Sequence, residues 1–145
     1  MTRAGVRAAR LTDIEALVAI EQASFSMNQL TRRAIGRAIA SKTQDVVVLS
    51  IQGDIVGDAI VGFQSGARIA RLTSLAVLKS VAGRGLGGRL LAACEARAKA
   101  RGCIAMRLEA RDDNHAAIAL YRKAGYREFA RIGDDYDDGA RRAAF

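Results

Sequence analysis

The chain of 145 residues is about one domain long and can bury a core without disulfide or metal staples. Half of it is hydrophobic, yet no apolar run approaches the ~18 residues of a membrane span, and the arginines of the first ten residues lead into no apolar signal stretch, so a cytoplasmic protein with no membrane partner is expected. The net charge of +8 favours polyanions such as nucleic acid, an acidic protein surface or a phosphate-bearing cofactor, although arginine-rich composition alone gives the same value; an aromatic content of 5% argues against a nucleic-acid stacking platform.

In chain order, Val6 to Ala9 reads as a short edge strand, and Thr12-Asp-Ile-Glu15 has the spacing of a capping box. A helix should start there, with Ile14, Leu17, Val18 and Ile20 as its apolar stripe, and end around Ser24 to Ser26. A second helix, Leu30 to Ser41, carries Arg32, Arg33 and Arg37 on a solvated flank. Asp45 to Ile51 and Ile55 to Phe63 are β-branched runs around the turn Gln52-Gly53-Asp54, which predicts an antiparallel hairpin. After Ser65-Gly66, Ala67 to Leu78 is a third extended segment.

That segment runs into a glycine cluster, Gly83, Gly85, Gly87 and Gly88, which opens a helix predicted over Gly85 to Arg101. Leu86, Leu90, Cys94 and Ala98 recur at four-residue steps along it, and Gly102 is suited to end it. Strand, glycine turn and helix N-terminus together suit a phosphate, because glycine lets backbone approach a ligand and the first helical amides lack internal partners. A glycine-rich connection that binds nothing is the alternative at this point.

Cys103 to Ala110 reads as the next strand, so Leu72 to Ala110 forms a βαβ unit whose crossover should be right-handed and whose strands should be parallel. Alternation puts Ile104, Met106 and Leu108 on one face and Arg107 and Glu109 on the other. A carboxylate near the C-terminal end of an interior strand suggests a cleft; an ion pair with Arg107 or Arg111 on a solvated face is the alternative. Asn114 caps a helix ending before Gly125, and Tyr121, seven residues on, shares its face about 10 Å further along the axis. A long ligand could touch both, or they are a cap and a half-buried aromatic. Tyr126 to Ile132 and Arg141 to Phe145 are a last strand pair around the acidic loop Asp134 to Asp138.

Cys94 and Cys103 are the only cysteines and His115 the only histidine, so no zinc set and no hydrolytic triad is present, and no metal is expected. Both thiols should be reduced and buried, one on a helix and one on a strand. The fold class is α+β, one domain over residues 1–145 with a mixed sheet and helices.

Ser74-Leu-Ala-Val77, the glycine turn, Leu108-Glu-Ala-Arg111, Asn114 and Ala119 to Tyr126 stand in an order that resembles the GNAT superfamily of acyl-CoA-dependent N-acetyltransferases. Within it the chain is most similar to the bacterial ribosomal-protein alanine N-acetyltransferases. The resemblance implies a GNAT-like fold, a central twisted mixed sheet flanked by helices, with acetyl-CoA as acetyl donor and an amine acceptor that is a protein N-terminus or a small amine such as a polyamine. A non-catalytic acyl-CoA-binding module is a further alternative, and a homodimer stays open.

The implied roles follow residue by residue. Leu75, Ala76 and Val77 would hydrogen-bond the pantetheine arm, with a backbone amide at or near Val77 polarising the thioester carbonyl. Gly83, Arg84, Gly85, Leu86, Gly87 and Gly88 would wrap the pyrophosphate, and Asn114 would contact the pantetheine. Tyr121 would protonate the departing thiolate and Glu109 would act as general base, through water. Three positions depart from the family pattern: Ala82 replaces the usual Arg or Gln before the glycines, Asp135 replaces the first tyrosine of the acidic loop, and no aromatic follows Phe25 in Ser26-Met27-Asn28.

Overall fold

The computed structural model describes residues 4–24, 30–64, 66–132 and 142–145. They fall into two compact units, Met1–Met106 and Arg107–Phe145.

The first unit is an antiparallel sheet carrying three helices. Its strands are β1 (Ala4–Ala8), β2 (Gln44–Ile51), β3 (Asp54–Gly62) and β4 (Ile69–Val77), paired in chain order with β1 at the edge. The β2–β3 hairpin forms as the sequence predicts: Gln52 and Gly53 both take positive φ (51° and 88°), which matches the twist of the flanking strands. The helices are α1 (Ile14–Ser24), α2 (Arg32–Ala40) and α3 (Leu86–Ala100).

Each face of this sheet has its own cover. Leu17 of α1, Ile35 and Ala38 of α2, Val46 and Val48 of β2 and Ile60 of β3 form a buried cluster on one face. The other face receives α3. A Cβ placed on Gly57 would lie 2.9 Å from the Ala76 carbonyl oxygen and 3.1 Å from Leu90 Cδ1, so only glycine lets β3, β4 and α3 approach this closely. Cys94 is buried on α3, where desolvation pushes its thiol up to about 12 and keeps it neutral. Gly102 (φ 85°) ends α3, and the Cys103 amide closes the turn onto the Ala98 carbonyl at 2.9 Å.

α1 starts differently from the expectation. Thr12 does not open a capping box; Leu11–Asp13 is a 3₁₀ turn, and Asp13 accepts the Arg10 amide at 2.7 Å and a bidentate pair from Arg7 at 2.7 and 3.0 Å. Glu15, the other half of the expected box, instead takes Arg32 at 2.8 Å through both oxygens. The Arg32 guanidinium brought in from α2 takes Glu15 away from a local backbone amide, since charge-assisted bidentate bonds are the stronger kind, while Asp13 keeps the local Arg10 amide beside Arg7. The α2 cap is local, the Thr31 hydroxyl accepting the Ala34 amide at 3.0 Å.

The second unit holds β5 (Ala105–Arg111, which begins at the end of the first unit), α4 (His115–Lys123), β6 (Ala130–Ile132) and β7 (Arg142–Ala144). β7 lies between β5 and β6, antiparallel to both. The strand predicted from Cys103 starts two residues later: Ile104 is 73% exposed and Cys103 is half-buried outside the strand. The C-terminal turn of α3 uses Cys103, and the Ile104 amide goes to the Arg68 carbonyl, so regular alternation begins only beyond them. No helix among the described residues is long and apolar enough to cross a membrane.

Candidate active site

In the first unit the predicted cofactor residues lie on one continuous path. β4 carries a one-residue irregularity: Ile60 pairs with Ser74 and Val61 with Leu72, so Thr73 is the extra residue and its hydroxyl donates to the Ile60 carbonyl at 3.3 Å. Beyond it, Leu75, Ala76 and Val77 pair with Ala59, Asp58 and Gly57. The chain then leaves the sheet, the Leu78 amide donating to the Val56 carbonyl, and makes a 3₁₀ turn at Lys79–Val81.

Gly83 and Gly85 follow with φ of 83° and 74°, left-handed values that favour glycine. Both are exposed, and a Cβ on either would meet no atom within 4 Å, so conformation rather than crowding requires glycine here. Gly85 is the N-cap of α3 and supplies no side-chain cap. The amides of Leu86, Gly87 and Gly88 in the first turn therefore have no intrahelical acceptor, and the helix dipole adds positive potential at the same place. This arrangement can receive phosphate oxygens on backbone alone. Arg84, between the two left-handed glycines, is exposed.

In the second unit, Glu109 is half-buried on β5 and pairs with Ala144 of β7. Asn114 caps α4, its Oδ1 accepting the Ala117 amide at 3.1 Å. Tyr121 is 3% exposed on the inner face of α4, with its ring edge-on to Phe145 at 5.5 Å and 70°. Phe145 exchanges backbone hydrogen bonds with Leu108, the neighbour of Glu109. The expected half-buried aromatic is thus fully packed, and its ring is held by the same β7 end that pairs with the Glu109 strand. Arg111 grips Asp113 through two 3.0 Å bonds, and the Arg107 guanidinium lies 5.2 Å from the Phe129 ring centroid.

Two carboxylates of the first unit escaped the sequence reading. Asp58 interrupts the apolar run of β3 and is 4% exposed, with no hydrogen-bond partner for its Oδ1 among the described residues. Glu21, near the end of α1, is equally buried and accepts the Leu30 amide at 2.8 Å. Burial, and then the Glu21 charge, push the Asp58 carboxyl up to about 7; burial also raises Glu21, against the Leu30 bond. The available signal was one acid amid β-branched residues, which reads equally well as a strand-edge residue.

Residues 14–126 match the acetyltransferase (GNAT) family. The chain belongs to this family. An acetyltransferase of Pectobacterium atrosepticum is 34% identical over 80 residues, 55% of each protein, so the chain spans about half the length of the curated relatives it matches. The ribosomal-protein-S18-alanine N-acetyltransferase of Escherichia coli superposes with a TM-score of 0.86 at 25% identity, over 98% of this chain and 91% of that one. The yncA structure of Salmonella typhimurium, solved with its cofactor acetyl-CoA, has a TM-score of 0.82 at 19% identity, over 98% and 91%, and speaks for the fold alone. The GNAT fold expected from the motif order is therefore the fold of this chain. The family match takes in every site position named from the sequence, from Leu75 to Tyr121. The acidic loop Asp134 to Asp138 with Tyr136, and Phe25 to Asn28, lie outside the described residues.

Proposed function

We propose that this GNAT protein is an acetyl-CoA-dependent N-acetyltransferase that moves an acetyl group to a primary amine by direct attack. The observation that carries the reading is the left-handed pair Gly83 and Gly85 leading from β4 into the uncapped N-terminus of α3. It supplies, without any side chain, the donors that a pyrophosphate needs. Ala82, where the family places Arg or Gln, removes one side-chain contact, so Arg84 and the backbone carry the anion.

Acetyl-CoA supplies the acetyl group as a thioester; the amine nitrogen bonds to its carbonyl carbon and the C–S bond breaks. In this reading Leu75, Ala76 and Val77 hold the pantetheine arm by backbone hydrogen bonds, the amide at or near Val77 polarises the carbonyl, and Asn114 contacts the arm. Glu109 accepts the proton lost by the amine, through water. Tyr121 gives its hydroxyl proton to the sulfur, which a phenol of pKa near 10 can do because it is protonated at neutral pH. An α-amine, with pKa near 8, is partly neutral at pH 7 and asks less of Glu109 than a lysine near 10.4 does.

The likeness to the ribosomal-protein-S18-alanine N-acetyltransferase favours a protein N-terminus as acceptor. The test is release of coenzyme A thiol from acetyl-CoA with a panel of peptides bearing free N-termini and of polyamines, the product identified by mass. Acetylated amine is expected. Tight coenzyme binding with no release for any acceptor would overturn the enzymatic reading and leave a binding module.

A further inference from the structure

Asp58 and Glu21 are an unusual pair to bury. Asp58 pairs across β2 with Val48, a member of the cluster under α1 and α2, and stands two residues from Ile60 of the same cluster. Its side chain therefore points to the α1 and α2 face, away from Leu90 of α3, which meets Gly57 on the opposite face. Glu21 comes to that face from α1.

Among the described residues no cation answers the two acids. Glu21 spends one oxygen on the Leu30 amide, and Asp58 Oδ1 has no partner among the described residues. The influences on the Asp58 carboxyl are burial and Glu21, both of which disfavour its charge. A buried acceptor left unmatched loses its hydration without replacement, and a charged one loses more, so such a pair persists most readily where a ligand completes it. The other strand neighbour of Asp58 is Ala76, whose methyl is the smallest side chain that could share the face. Ala76 is also the middle residue of the β4 segment assigned to the pantetheine arm, and paired strands lie only about 5 Å apart.

We infer that Asp58 and Glu21 form the floor of the acceptor subsite and bind the positively charged ammonium group of an aliphatic amine. The inference rests on the acetyltransferase reading and deepens it, since it selects acceptors that arrive as cations over arylamines that arrive neutral. One proton retained between the acids leaves one net negative charge, which matches a single ammonium. Among the described residues the titratable groups that act on Asp58 are Glu21 from α1 and Cys94 from α3, which burial keeps as a neutral thiol; the cross-strand neighbours Val48 and Ala76 carry no charge. Ammonium binding then favours the ionised Asp58.

The test is calorimetric titration of the full chain, saturated with coenzyme A, with 1,4-diaminobutane and separately with an alanyl tripeptide bearing a free N-terminus. At least one should bind the wild type, and D58N should weaken it roughly 30-fold, the scale for truncating one partner of a buried charge pair, with coenzyme A affinity unchanged. E21Q, which keeps an oxygen for the Leu30 amide, should weaken it in the same direction. The ¹³C titration midpoint of the Asp58 carboxyl should fall when the amine is bound. Equal amine affinity in wild type and D58N, an unmoved midpoint, or no binding of either cation to the wild type would overturn the inference. Thiol release is read separately: transfer with an unchanged D58N response sinks only the subsite, and Asp58-dependent amine binding without transfer sinks only the enzymatic reading.

Discussion

The β4–α3 connection and the β5–α4 segment are built in opposite ways. The first is exposed and glycine-rich, and what it offers a ligand is backbone amide. The second offers side chains, a half-buried Glu109 and a Tyr121 packed edge-on against Phe145. Backbone donors are always present and always neutral, so they suit binding; proton transfer needs groups that can gain or lose a proton. The contrast implies that substitutions in the first region act on cofactor affinity and substitutions in the second act on turnover.

Tyr121→Phe should break the contrast most sharply. The ring and its Phe145 contact remain, the proton goes, and turnover is expected to fall by about 10³-fold with KM for acetyl-CoA unmoved. Unchanged turnover with an unchanged pH-rate profile would remove the general acid.

Asp58 is the place where the first unit departs from the contrast, because it is a side chain that can titrate. Its folded-state value of about 7 lies above the ordinary 3.8, so the stability it contributes is complete below about pH 4 and is lost as pH rises through 7. Relative to wild type, D58N should therefore gain about 3 kcal/mol of stability between pH 4.5 and 8, for a shift of roughly three units of which part is already lost at pH 4.5. Denaturant titrations at the two pH values read the difference; a D58N offset that does not change with pH would place the Asp58 titration elsewhere.

Glu109→Gln comes next. At pH 7 with a peptide α-amine, kcat/KM should drop about 10²-fold and recover partly as rising pH neutralises the amine without help. Full activity at pH 7 would dismiss the base. The smallest effect is expected in the glycine turn: G85A puts a Cβ at φ 74°, a conformation that costs roughly 1–2 kcal/mol outside glycine, so KM for acetyl-CoA should rise about tenfold with kcat retained. A fall in kcat with KM unmoved would mean that the turn takes part in more than binding.

What was readable in advance, and what was not, follows from the range of the interactions. The β2–β3 hairpin, the Asn114 cap and the Gly102 terminator depend on residues within a few positions of one another, and all three form as expected. The capping box at Thr12 failed although its spacing was right, because Arg32 reaches Glu15 from α2, and the local amide bond forms two residues earlier, from Arg10 to Asp13. Ile104 has the pattern of a core residue and is exposed, because the helix ending at Gly102 takes up the residues that precede the strand.

By itself the sequence determined the order of helices and strands, the glycine turn that opens α3 and the family, since turn chemistry and apolar periodicity are local properties of the chain. Only the tertiary structure decided that Asp58 and Glu21 are buried on one face of a sheet, because they are 37 residues apart in sequence and no local pattern pairs them. The β3 register sets Asp58 beside Ala76, and α1 sets Glu21 over it. The glycine turn was legible because its conformation follows from its own residues; the acidic pair was not, because what surrounds each carboxylate is decided only after folding.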